Sequence, residues 1–334
     1  MRITPETLLK IARDTVSRRT RSDRDLLSVY LHGSLLDADP FLGGAADIDL
    51  VFVHNESVLV NREIERLTDE IHLDIAHHDR RDYRRARDLR LHPWLGPTIF
   101  RSRILYDPQH FMDFTQATVR GQFNRPDYIL GRARSQAEHA RQMWISLHSL
   151  HSPPGVQEVA LYLRSVEHAA NAVAGLSGPP LTERRFLLHF PARAQAIGRP
   201  GLYPGLLGLL GAPRALEEVL RGWLPAWESA YQDLPREQAP LRLHIHRRLY
   251  YLNAFNKILN SERPQDLLWP LLHTWTQAAL LLPAESAHVL AWQAALEQLG
   301  LLSEAFAERV AALDAYLDTV EETLEEWARA NGAE

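Results

Sequence analysis

The stretch Leu31-His32-Gly33-Ser34, with Asp47-Ile48-Asp49-Leu50-Val51 opening thirteen residues after Ser34, limits what this chain can fold into more than any other feature. Residues 26–31 read as a strand that ends in a Gly-Ser turn. Residues 37–46 contain Pro40, Gly43 and Gly44 and read as a loop. A second strand, 47–53, then opens with two aspartates at i and i+2, which a strand projects from one face. Two carboxylates aimed at one point repel unless they share a cation, and a hard divalent ion such as Mg²⁺ is the common solution. Residues 70–77 read as a third strand, with Asp74 between Leu73 and Ile75. If that strand lies beside 47–53, Asp74 completes a three-carboxylate site. Gly33 allows close approach of the backbone to a phosphate, and the Ser34 hydroxyl and neighbouring amides can donate to it.

Apolar-Gly-Ser, a gap, Asp-apolar-Asp-apolar and then a lone acid on a later strand resembles the nucleotidyltransferase superfamily that includes DNA polymerase beta and the aminoglycoside nucleotidyltransferases. Leu31, Gly33, Ser34, Asp47, Asp49 and Asp74 match that pattern, which covers about the first third of the chain. The resemblance implies transfer of a nucleoside monophosphate from a nucleoside triphosphate, with ATP the expected donor, to a hydroxyl, releasing pyrophosphate. It implies two divalent ions about 4 Å apart, Mg²⁺ or in its place Mn²⁺. Asp47 and Asp49 would bridge them. Asp74 would hold the ion nearer the acceptor or take its proton, and Ser34 with the Gly33 turn would hold the outer phosphates.

The expected acceptor is a small hydroxylated molecule such as an aminoglycoside, a polycation that acids including Glu138, Glu158 and Glu167 would suit. A protein hydroxyl or a tRNA end, as in toxin–antitoxin systems, is the alternative. Arg134 and His139 also match an arginine-four-histidine spacing seen in HEPN ribonucleases, which keeps a ribonuclease reading open. A nucleotide-binding module without catalysis is a further alternative, disfavoured because buried acids are costly to keep without a cation.

Composition narrows the partners. The net charge of −5 carries no polyanion-binding signature for the chain as a whole, so any nucleotide site must be local. The absence of cysteine excludes disulfides, thiolate zinc sites and cysteine nucleophiles. Residues 1–5 lack an apolar signal core and no run approaches the ~20 apolar residues of a membrane span, so a cytoplasmic protein is expected. Lysine occurs only at 10 and 257, so a phosphate clamp would be built from arginine.

The expected fold class is α+β: a small mixed sheet with flanking helices over 1–120, then an all-helical bundle over 121–334. Thr4-Pro5-Glu6 opens a helix running to about residue 18. A short helix is expected over 61–70 and a closing strand over 104–108. Arg80, Arg81, Arg84, Arg85, Arg87, Arg90, Arg101 and Arg103 read mostly as a solvated, ion-paired segment. His77 and His78 should face opposite sides of a strand, as structural residues. Helices are expected over 109–120, 127–150, 156–175, 181–197, 213–231, 236–260, 265–282, 285–299 and 303–329. The last carries the stripe Phe306, Val310, Leu313, Leu317, Val320, Leu324 and Trp327, which should pack on the bundle's own core, with a homodimer interface as the alternative.

Overall fold

The computed structural model describes residues 3–149 and 153–333 and is of the α+β class. It divides into two compact units, one running to Arg125 and including Leu249–Ala254, the other comprising Pro126–Arg248 and Phe255 onward.

The first unit opens with helix α1 (Pro5–Ser22). The Thr4 hydroxyl accepts from the Thr7 amide at 3.3 Å, proline occupies the first helical position, and Arg19 and Arg21 sit in the last turn, where the helix dipole favours cations. Five strands follow: β1 (Leu26–His32), β2 (Ala46–His54), β3 (Arg62–Arg66), β4 (Ile71–Asp79) and β5 (Arg103–Tyr106), in the sheet order β3-β4-β2-β1-β5. Only β2 and β4 run parallel; the other pairs are antiparallel. Between β4 and β5 lie the short helices α2 (Ala86–Leu91) and α3 (Leu95–Arg101), and α4 (Phe111–Arg120) follows β5.

Alternation along the strands builds two different faces. On one, Val29, Leu31, Ile48, Leu50, Phe52, Leu73 and Ile75 pack against Leu8, Ala12 and Val16 of α1, spaced four residues apart on one helix face. A fully buried leucine such as Leu8 contributes about 1.5–3 kcal/mol there. The other face is split. Leu27, Tyr30, Val51 and Val53 form a second core with Tyr83, Leu89, Ile99, Met112, Val119 and Phe123. Toward the start of β2 the same face carries Asp47 and Asp49 instead.

Residues 62–66 correct the expected helix over 61–70: they form β3, an edge strand antiparallel to β4. Arginine and glutamate favour helix locally, but Arg62, Ile64 and Arg66 alternate with Glu63 and Glu65, and pairing with β4 overrides the local preference. The charged side chains suit a sheet edge. His77 and His78 divide as expected: His77 joins His54 at 2.9 Å on the α1 side, and His78 meets Tyr83 on the other.

The second unit, among its described residues, is helical: α5 (Pro126–His148), α6 (Val156–Gly175), α7 (Phe186–Ala196), α8 (Leu202–Leu209), α9 (Glu217–Gln232), the later part of α10 (Arg248–Leu259), α11 (Leu268–Ala279), α12 (Ala287–Leu299) and α13 (Ala305–Asn331). The expected helix end at 150 lies outside the described residues. Residues 236–247 are turns and single 3₁₀ turns rather than the start of a long helix, because Pro240 removes an amide and His244 is extended. Helix α8, in a Gly- and Pro-punctuated stretch, was not expected. The stripe on α13 is buried from Phe306 to Leu324 within this unit, against α5, α6 and α8, while Trp327 is half-buried. Arg141 of α5 clamps Asp314, Asp318 and Glu321 along its flank. No described helix is long and apolar enough to cross a membrane.

Candidate metal centre

Register decides the site. Pairing of β2 with β4 sets Asp49 beside Asp74 and Asp47 beside His72, while β1 sets His32 on the other side of Asp49. His32, Asp49 and Asp74 therefore form one row across three strands. One ligand oxygen from each of Asp47, Asp49 and Asp74 lies within 4.8 Å of the others. Asp47 and Asp74 are almost fully buried, at 3% and 4% exposure. Buried carboxylates this close require counter-charge, and an all-oxygen set of this kind can hold a hard divalent cation.

Part of that counter-charge comes from the protein. Arg62 grips Asp74 in a fork, its Nε donating to Oδ1 and one terminal nitrogen to Oδ2, both at 2.6 Å. A bidentate pair of this geometry is the strong form of an ion pair. It supplies one positive charge to a group of three acids. Arg62 is the residue that sequence reasoning missed. Its signal was the period-two alternation of 62–66, which reads as an edge strand next to the strand carrying Asp74.

Gly33 closes the other side. Its φ of +75° with ψ of −162° belongs to a region that glycine alone enters freely. A Cβ built there would overlap the Asp49 carboxylate, with Cγ only 2.7 Å away. The turn is thus shaped around Asp49. Ser34 follows at the head of a single 3₁₀ turn, its hydroxyl donating to the Pro40 carbonyl at 3.5 Å.

A cavity of about 500 Å³ adjoins the carboxylates, lined by His32, Asp49, Arg62 and Asp74 and by residues of β4, helix α3 and the connection between them. Gly33, Ser34 and Asp47 do not line it. Burial pushes the His32 imidazole down to about 4, against the opposing pull of Asp74, so it is neutral at physiological pH.

Several arginines of the basic segment have partners at the surface: Arg81 with Asp79, Arg101 with Asp37, Arg85 with Asp88 and Arg90 with the Thr118 carbonyl. In the second unit Arg134 and His139 do not converge. Arg134 pairs with Glu325 at 2.9 Å, and His139 stacks on His168 at 5.5 Å. Five residues on a helix subtend about 140°, which sends the two side chains to different faces.

A scan against protein-family models gives no match for this chain, and no curated protein matches it in sequence.

Proposed function

We propose that the protein is a metal-dependent nucleotidyltransferase that moves a nucleoside monophosphate from a nucleoside triphosphate to a hydroxyl of a small molecule. The observation that carries this reading is the meeting of Asp47, Asp49 and Asp74 within 4.8 Å beside a glycine turn that Asp49 itself fills. Asp47, Asp49 and Asp74 would hold Mg²⁺, which when bound neutralises the triphosphate and acidifies the attacking hydroxyl.

The protein's own groups do the positioning. The backbone at Gly33–Ser34 supplies N–H donors to the outer phosphates. Arg62, the guanidinium in the cavity wall, would reach phosphate oxygens by giving up its fork on Asp74. The acceptor oxygen bonds to the α-phosphorus as the bond from that phosphorus to its bridging oxygen breaks. Pyrophosphate leaves with the electron pair, and the hydroxyl proton passes to Asp74, which lines the cavity. Much of the acceleration then comes from orientation and fixed charge.

The test is pyrophosphate release from each nucleoside triphosphate with Mg²⁺ and panels of hydroxylated acceptors, followed by mass spectrometry of the acceptor. Transfer should require Mg²⁺ and vanish in Asp47→Asn and in Asp49→Asn. Wild-type turnover in either variant would refute the assignment.

A further inference from the structure

Next to the Asp49–Asp74 pair, the same-face pair Val51–Ala76 begins a second half of the cavity, lined by residues given no role in the transfer step above. Its walls there are Val51 and Ala76 of the sheet, the half-buried Trp94, Leu95 and Thr98 of the α3 turn, and the imidazoles of His78 and His92. Apart from the triad, its one acid is Asp82.

Both imidazoles are fixed from behind. The His78 Nδ1 lies 2.7 Å from the Tyr83 hydroxyl, which lies 2.8 Å from the Tyr30 hydroxyl, and both tyrosines are buried. That chain uses Nδ1 and leaves Nε2 as the nitrogen His78 offers a ligand. It can run in either direction, so Nε2 can donate or accept. The His92 Nδ1 accepts from the amides of Trp94 and Leu95 at 3.2 and 3.0 Å, which puts the proton of the neutral ring on Nε2 and makes His92 a donor. Desolvation lowers the pKa of both rings, which favours their neutral forms.

We propose that this half of the cavity is the acceptor subsite, and that it takes an uncharged heteroaromatic ring laid against Trp94, its polar edge read by His78 and His92. The inference rests on the nucleotidyltransferase reading for the word acceptor, but the ring site itself does not. An indole face, a small apolar floor and neutral donors and acceptors at the rim suit a flat polar ring. A polycation would instead need several carboxylates here, and only Asp82 is present.

The experiment is ligand-observed saturation-transfer NMR and titration on the full chain without metal. The probes are indole-3-ethanol and adenosine, against kanamycin and myo-inositol. The two ring probes should receive saturation and the other two should not. Kd for indole-3-ethanol should weaken at least fivefold in Trp94→Leu and in His78→Phe, and measurably in Tyr83→Phe, which keeps the shape of the buried ring. Circular dichroism identifies any variant that fails to fold, and the probe comparison on wild type stands without the variants. Absence of ring binding, equal binding of kanamycin, or unchanged affinity in folded Trp94 and His78 variants would overturn the proposal. Ring binding that persists in Asp47→Asn while transfer is absent even in wild type would sink the transferase reading and leave the ring site standing.

Discussion

Replacing Arg62 by methionine separates a structural ion pair from a cation site. Both Asp74 oxygens accept from Arg62 at 2.6 Å, and Asp74 is almost wholly buried while the Arg62 side chain is 43% exposed. Removing one partner of a fully buried pair costs about 3–5 kcal/mol, because the survivor keeps its desolvation penalty. Water already reaches the Arg62 end, so we expect about 2–3 kcal/mol here. Methionine retains most of the apolar stem, which confines the loss to charge. A divalent ion that binds only the folded state contributes about 2.7 kcal/mol at one hundred times its Kd. Without the competing guanidinium, the ion should bind Arg62→Met more tightly than wild type. Urea unfolding in EDTA should therefore show the full loss, and saturating Mg²⁺ or Mn²⁺ should recover most of it. Titration calorimetry should show the tighter Kd directly. An equal loss in EDTA and in Mg²⁺, with unchanged metal affinity, would show that Asp74 serves Arg62 alone and no cation.

Two further outcomes follow from particular residues. Gly33→Ala places a side chain in a glycine-only conformation, costing about 1–3 kcal/mol, and pushes against Asp49. Its Mg²⁺ affinity, measured by calorimetry, should fall along with its stability; wild-type affinity would mean that the turn does not shape the carboxylate site. In the second unit, His273 accepts from Arg242 at 3.1 Å, and burial followed by the Arg242 charge pushes its pKa down to about 3. Between the ordinary histidine value of 6.5 and about 3, the unfolded chain takes up a proton that the folded chain refuses, so stability falls as pH falls. Unfolding free energies across that window should decline less steeply in His273→Asn, by up to on the order of 1.4 kcal/mol per pH unit, the limit for one proton. Identical slopes would remove His273 from the acid response.

The carboxylates were legible because a strand's period of two makes Asp47 and Asp49 neighbours without any knowledge of the rest of the fold. Asp74 was legible one step less directly, from an acid set between Leu73 and Ile75 in a strand-like run. Arg62 was misplaced because Arg-Glu-Ile-Glu-Arg is also a good local helix, and pairing with β4 decides between that and the strand its alternation allows. The α13 stripe was readable from its spacing, since buried positions on a long helix repeat with the helical period. The loss of helix over 236–247 turns on Pro240 and His244, which lie inside a stretch of otherwise helical pattern.

The order of the chemistry along the chain, a glycine turn, two acids on one strand face and a third on a later strand, belongs to the sequence, since local backbone geometry alone dictates which side chains share a face. That Asp49 lies next to Asp74 rather than one residue away, that Arg62 reaches over to the same carboxylate, and that Trp94, His78 and His92 enclose the space beyond them were decided by strand pairing and helix packing. A one-residue slip of β4 against β2 would turn Asp74 and His78 to the opposite face of the sheet.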